Sequence, residues 1–542
     1  MKRELALFLV IAGCTAPSAM SQTPSSFQQF RQSILDDFES FRKTILEHYA
    51  DFLNGTWHEY EPLQPLKRDK TPKPMKVPNV KISKPSTSPQ LPTPKLADLP
   101  SGSSPQVPDD KSPLPTIPPA EENLSPIVPP EAGKIVPPSL KVKPDLGEPL
   151  LADLPAPKIP IPEFPPVAEE PVMPEEQTVG KDPVNFYGME ILVPSIDFEI
   201  MKNFRSVGDY SRNWKIIEDQ KVADSLLGAL KPTMEKLGLN DYLAYEFLCA
   251  YMDSKFSEAA AAPKMSAVHY LLTHMGYNVR IASTTNTGDP LLLMPVNQTL
   301  YAKPSVTLAG QTYYIMSAPG VDVMGQGIAT CDLPKVADSG KKFDLIINGL
   351  NIPVKERAFE VKHGGLSLRG TLNENLMPIV YNYPQMNTAD YALSELDGNL
   401  RADLVSQLKE QLKDKKPLAA TNELLQFVQS GFKYATDDEL HGFEKPYFLE
   451  ENLYYPMNDC EDRAIFYTYM LWHALGLESE LLFFPGHESA GVALPEDIKG
   501  TSYDHNGKRY YISDPTYIGS VTGMCMPQYS GTAPVIDLSI PE

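Results

Sequence analysis

Cys460, His487 and Asp514 follow one another at intervals of 27 residues: a thiol, an imidazole and a carboxylate, in that order. Acyl transfer through a covalent intermediate needs those three groups, as nucleophile, as base that takes and returns a proton, and as anion that holds the base's tautomer. Asn458-Asp459-Cys460-Glu461-Asp462-Arg463-Ala464 reads as a helix start, with Asn458 or Asp459 as N-cap and acids in the first turn. Cys460 then stands at or just inside a helix N-terminus, whose partial positive charge favours a thiolate. The flanking acids push the other way, so a thiolate there needs a nearby cation, and an imidazolium serves. His487 follows the turn Pro485-Gly486 and opens an apolar run to Leu494, which places it at a strand start facing a cleft. Asp514 closes the strand Tyr510-Tyr511-Ile512-Ser513 just before Pro515. If those two strands are antiparallel neighbours, the carboxylate reaches the imidazole.

Other polar residues nearby read more plainly. Glu461 and Asp462 read as cap residues rather than general acids. His505 precedes the hairpin turn Asn506-Gly507 and is expected to be exposed. The backbone N–H of Cys460 is the expected first oxyanion donor, with Asn452, Tyr454 or Tyr455 as the second. The nine histidines include no His-Glu-x-x-His, and no Cys-x-x-Cys occurs. His269 and His274 are five apart, on different helix faces, so neither a metal nor a cofactor is expected.

The elements that must position these groups show in the periodicity. Residues 213 to about 256 carry helical spacing with a break at Gly238, and a second helix ends at Gly276. Strands are expected at 279–283, 291–296 and 312–316. A four-stranded meander is expected from 343–347, 358–362, 366–372 and 378–383, with turns at Asn348-Gly349 and Gly364-Gly365. Leu400, Leu404, Leu408 and Leu412 mark one helix, and 422–432 and 461–475 two more. Two blocks share a pattern. A helix ending at Gly276 or Gly476 is followed by an apolar strand, a strand ending at Pro295 or Pro495, and then Tyr313-Tyr314-Ile315 or Tyr510-Tyr511-Ile512. An internal duplication at an offset of about 200 accounts for this. It sets Cys460 on Ala260, His487 near Thr287 and Asp514 near Ser317, so the first copy lacks the three reactive groups. It also lacks most of 434–457, which is expected to wall the cleft.

A helix opening with Asn-Asp-Cys-Glu-Asp-Arg-Ala, a strand opening with Gly-His and a strand closing with Asp-Pro-Thr together resemble the transglutaminase-like superfamily. The resemblance spans roughly residues 400–529 and is closest to exported bacterial members. It implies a papain-like α+β fold in which Cys460 is the nucleophile, His487 the general base and acid, and Asp514 the orienting carboxylate. The implied chemistry is attack on a carboxamide through a thioester, hydrolysing peptide or isopeptide bonds in a protein or peptide substrate. The alternatives are a protein-glutamine transglutaminase and a non-catalytic envelope binding or scaffold protein. The chain departs from the family in having His487-Glu488-Ser489 where His-Ala-Trp is common.

The fold class expected is therefore α+β, in six parts. Residues 1–21 read as a signal peptide, with a basic start, a 12-residue apolar run and Ala19-Met20-Ser21 at the cleavage site. Ile11-Ala12-Gly13-Cys14 offers a lipoprotein anchor at Cys14 instead, so the protein reads as exported: periplasmic, secreted or membrane-anchored. Residues 22–61 form an amphipathic helical arm, with Phe27, Phe30, Ile34, Phe38, Phe41, Ile45, Tyr49 and Phe52 at spacings of three and four. The arm suits self-association or envelope tethering. Residues 62–176 form a proline-rich disordered linker: 31 of the 54 prolines lie between Pro62 and Pro174, a density no packed core survives. Fully extended, it reaches ~350 Å. Then come a degenerate transglutaminase-like domain (177–320), a β-rich domain (321–396) and the catalytic domain (397–542). The net charge of −21 argues against nucleic acid as a partner. Besides Cys14, four cysteines lie scattered, room for one bridge but not a disulfide scaffold.

Overall fold

The computed structural model describes residues 55, 57–68, 76, 90–96, 180–331 and 340–539. The signal peptide, nearly all of the helical arm and most of the linker lie outside the described residues.

The architecture is mixed α+β. Strands β1 (His58–Tyr60) and β2 (Lys95–Leu96) come first, then the hairpin β3 (Lys181–Phe186) and β4 (Met189–Pro194). The hairpin turns at Tyr187-Gly188, both at positive φ, and buries Met189, Ile191 and Val193 on one face. Four helices follow: α1 (Gly208–Asp219), α2 (Ala223–Lys236), α3 (Asp241–Lys255) and α4 (Ala261–His274). The helical stretch read at 213–256 is thus three helices. Breaks fall at Lys221 and Gly238, both left-handed. At Gly238 a Cβ would stand 2.3 Å from the Gly349 carbonyl oxygen, so the helix must end on glycine.

Next come β5 (Arg280–Thr284), β6 (Pro290–Met294), β7 (Ser305–Leu308), β8 (Gln311–Ser317) and β9 (Ile328–Thr330). The hairpin β10 (Glu356–His363) and β11 (Leu366–Asn373) leads into the short helices α5 (Leu376–Tyr381) and α6 (Thr388–Leu393). Helices α7 (Gly398–Leu412) and α8 (Pro417–Gly431) precede β12 (Lys433–Tyr434), α9 (Asp437–Leu440), α10 (Glu451–Tyr454) and β13 (Met457–Asn458). The chain closes with α11 (Cys460–Leu475), β14 (Ser479–Phe484), β15 (His487–Ala493), β16 (Ser502–His505), β17 (Lys508–Ser513) and β18 (Val535–Ser539).

Two six-stranded sheets have the same strand order. One runs β1-β9-β5-β6-β8-β7, the other β2-β18-β14-β15-β17-β16. In each, the helix before the sheet feeds its third strand. Registers correspond as well: Arg280 faces Leu293 as Ser479 faces Val492, and Ser305 faces Tyr314 as Ser502 faces Tyr511. They differ at one edge, where β1 runs antiparallel to β9 but β2 parallel to β18. Helix α11 is buried almost all round from Cys460 to Met470 and packs on α7 and α8 through Leu404, Leu408, Leu424 and Phe466.

Three sequence expectations need correction. The four-stranded meander is one hairpin, β10–β11, turning at Gly364-Gly365 as read. It lays Leu366, Leu368 and Leu372 into the same apolar cluster as the four α7 leucines, so the strands of 321–396 form no sheet domain of their own. Residues 378–383 are mostly helix, since Leu376, Met377, Ile379 and Val380 bury one helical face. A short apolar run does not tell strand from helix, and Pro378 is tolerated in a first helical turn. Residues 343–347 form no strand; Phe343 makes a single bridge to Val296. The linker is the third case. Residues 62–68, 76 and 90–96 lie on the folded body, with Leu63 and Leu91 donating backbone N–H groups to Ser305 and Ser502. Prolines suit an edge when their non-proline neighbours carry the hydrogen bonds. Leu91 is buried with Leu482, Phe484 and Ile536. None of Cys249, Cys331, Cys460 and Cys525 is in a disulfide.

Candidate active site

Cys460 is the first residue of α11, and Asp459 is its N-cap. Buried polar contacts fix that helix start. Asp462 accepts the Asp459 backbone N–H at 3.2 Å and that of Tyr447 at 2.7 Å. Arg463 donates to Asn458 Oδ1 (2.8 Å) and to the carbonyls of Phe432 (3.0 Å) and Gln429 (3.3 Å). Asp462 is a cap residue, as its position suggests. Glu461 is not: its carboxylate accepts the Cys460 thiol at 3.1 Å and lines a cavity.

His487 opens β15 directly after the turn at Gly486. Strands β15 and β17 are antiparallel neighbours, with Ala490 opposite Ser513, so Asp514 arrives beside the imidazole. His487 Nε2 and Asp514 Oδ2 are 2.9 Å apart. The other carboxylate oxygen accepts the N–H groups of Thr516 (2.8 Å) and Tyr517 (3.0 Å). Gln429 ties down the same turn by donating to the Asp514 and Tyr517 carbonyls, both at 3.0 Å. With Nε2–H given to the carboxylate, Nδ1 carries the lone pair. Nδ1 is buried and has no hydrogen-bond partner. The Tyr529 ring stacks on the imidazole, centroids 5.3 Å apart and planes 6° from parallel.

Cys460 and His487 line one cavity of about 420 Å³ with Glu444, Glu461, Glu488 and Arg68. Burial pushes the thiol well above its ordinary pKa, and Glu461 and Asp459 push it further. The Glu488 backbone N–H works the other way. Burial also raises the Glu488 carboxyl to about 8 and that of Glu444 to about 9. Glu461 is buried too, yet the Arg68 guanidinium and the hydrogen bonds it accepts hold its pKa below the usual range. The cluster thus concentrates its negative charge on Glu461, opposite one buried cation. Asp437, Asp459 and Glu461 each bring an oxygen within 4.8 Å of the others, a donor set a hard divalent cation could share. A search for histidine and cysteine patterns does not see such a set.

The three residues read from the sequence therefore meet in one place, two of them hydrogen-bonded and the third in the same cavity. In this arrangement the thiol bonds Glu461 rather than His487. The proposed second oxyanion donors do not reach the cavity. Asn452 accepts from Asn458 (2.7 Å), Tyr454 lies under the Arg357 guanidinium, and Tyr455 packs on Tyr447. Of 434–457, Glu444 does line it. His505 is not exposed; its Nδ1 bonds buried Glu480 at 2.5 Å. Sequence reading missed Arg68, Glu444, Glu488 and Tyr529. The Glu488 departure from the familiar motif was the only local signal among them.

In the first block, Ala260 is the N-cap of α4, Thr287 precedes β6 and Ser317 ends β8. A cavity of about 480 Å³ lies there, lined by Ala262, Thr287 and Trp57 among others. Among the described residues no helix is long and apolar enough to cross a membrane. No protein-family model matches the chain, and no curated protein or solved structure does.

Proposed function

We propose that the chain is an exported thiol enzyme of the transglutaminase-like superfamily, with a papain-like catalytic half and a degenerate copy upstream. It hydrolyses peptide or isopeptide amide bonds. The observation that carries this reading is a cysteine at the start of a buried helix, opening into the same cavity as a buried histidine–aspartate pair whose outer nitrogen has no partner. The common strand order of the two sheets supports the duplication.

The thiol is held protonated by burial and by acids, so attack requires a base in the same step. Cys460 Sγ bonds the carboxamide carbon while its proton passes to His487 Nδ1. Asp514 stabilises the imidazolium through Nε2–H. The charge developing on the carbonyl oxygen falls near the helix N-terminus, whose first N–H groups have no intrahelical partner. The imidazolium then protonates the leaving amine, the C–N bond breaks, and a thioester remains. Water gives a proton to His487 Nδ1 and adds to the thioester carbon, the C–S bond breaks, the imidazolium returns that proton to Cys460 Sγ, and the carboxylic acid leaves; an amine in place of water gives transamidation.

A binding or scaffold role is the second reading, favoured by the thiol's bond to Glu461 and by Arg68 in the cavity. Alkylation of Cys460 by iodoacetamide separates the two, followed on its own peptide in wild type and His487→Ala. The enzyme reading expects labelling at pH 7 to slow by about tenfold or more in the variant, because the base is lost. Equal rates across the pH range would leave the binding role.

A further inference from the structure

Three glutamates, Glu444, Glu461 and Glu488, face the cavity beside Cys460, and the buried cation among them is Arg68. Arg68 does not come from the elements that build the site. It comes from the segment 57–68, held on the first block by Leu63 N–H to Ser305 O (2.7 Å) and Ala302 N–H to Leu66 O (2.8 Å). Its guanidinium donates to the Met386 carbonyl (2.5 Å) and the Thr388 hydroxyl (2.6 Å). It lies 3.6 Å from Glu488 and 3.9 Å from Glu444. Thr388 in turn donates its hydroxyl hydrogen bond to Glu488 Oε1 at 2.5 Å. A carbonyl, a hydroxyl and carboxylates thus converge on one planar cation, the pattern a guanidinium requires.

A second observation points to a ligand. Glu488 is only 6 % exposed, and its other oxygen, Oε2, has no hydrogen-bond partner. A buried carboxyl oxygen left without a partner is costly, and neither the Thr388 hydroxyl nor Arg68, both on Oε1, serves Oε2. Glu488 also directly follows His487, so any side chain seated there brings its own backbone close to the thiol.

We propose that these glutamates, with Thr388 and the Met386 carbonyl, form the subsite for a cationic side chain of the substrate, arginine or lysine, and that Arg68 is its internal occupant. This deepens the thiol-enzyme reading and rests on it. A peptide bearing the cation displaces Arg68 and sets its carboxamide against Cys460, while the segment 57–68 stays held through Leu63 and Leu66.

The test uses the full chain and two thiol reagents of similar reach, cationic aminoethyl methanethiosulfonate and neutral ethyl methanethiosulfonate, with labelling read on the Cys460 peptide. In Arg68→Ala the ratio of cationic to neutral rate should rise about tenfold over wild type, through attraction to Glu461, whose charge Arg68 no longer balances. Millimolar agmatine should slow that labelling and raise the melting temperature of Arg68→Ala, but not that of wild type. The preference should vanish in Arg68→Ala with Glu461→Gln. An unchanged ratio, with agmatine neither protecting nor stabilising, overturns the subsite. Agmatine stabilisation reports even if Arg68→Ala is too unstable to label. If His487→Ala labels as fast as wild type while the cation preference holds, the catalytic reading falls and the cation site stands.

Discussion

His487 shows how an imidazole is made directional. Asp514 fixes one nitrogen at 2.9 Å, and two backbone N–H groups fix Asp514 in turn. Asp514→Asn keeps the shape but removes the anion, so on the proposed thiol-enzyme reading kcat should fall ~10³–10⁴-fold. The folded state should be little changed by circular dichroism. The raised carboxyls make a second claim at this scale. Asp390 is raised to about 7, Glu488 to about 8 and Glu444 to about 9, in each case mainly by burial. The folded state therefore holds protons that the unfolded chain releases near pH ~4. Their contribution is fully present below that pH and is lost as pH rises through about 7 to 9. Melting temperature should fall across that window, and Glu444→Gln should flatten the fall. A melting temperature that rises from pH 5 to 9 would contradict these shifts.

A buried ion pair ties down the first turn of helix α7. Arg401 Nε donates to Glu450 at 2.7 Å, and the same Glu450 oxygen accepts the N–H groups of Leu396 and Asp397. Both side chains are almost fully buried. Removing one partner strands the other, so Glu450→Ala should cost ~3–5 kcal/mol in urea unfolding. Arg401→Met with Glu450→Leu should cost much less than Glu450→Ala, because no charge is left unpaired. At the same scale, α11 and the β14–β15 and β16–β17 hairpins were legible before the structure. Their signals are local: a capped helix start ending on Gly476, a turn at Gly486, and Asn506-Gly507 with both residues at positive φ. The run at 378–383 misled because four apolar residues in six fit either period.

Across the whole molecule, two described pieces of the N-terminal region, 57–68 and 90–96, each dock on one sheet. Their strands β1 and β2 each cover the edge of one sheet, which protects edges that would otherwise pair with other chains. Leu91 sits in the core of the second sheet at 4 % exposure. A free tether would make Leu91→Ala silent. The docked linker segment instead predicts a loss of ~2–5 kcal/mol, read as a lower urea midpoint. The proline density that identifies the segment is the very signal that hides its docking, since it describes composition and not contacts.

From sequence alone came the mixed α+β class, the helix and hairpins of the C-terminal block, and the three residues that the structure brings together. Each rests on a period, a turn or an order along the chain. The tertiary structure decided the rest. Arg68 lies 320 residues from its partner Thr388, and Glu488 lies 100 residues from the same hydroxyl. No local period encodes such pairs. The charge state of the cavity is their product, because a buried carboxylate takes its pKa from whatever the fold brings against it.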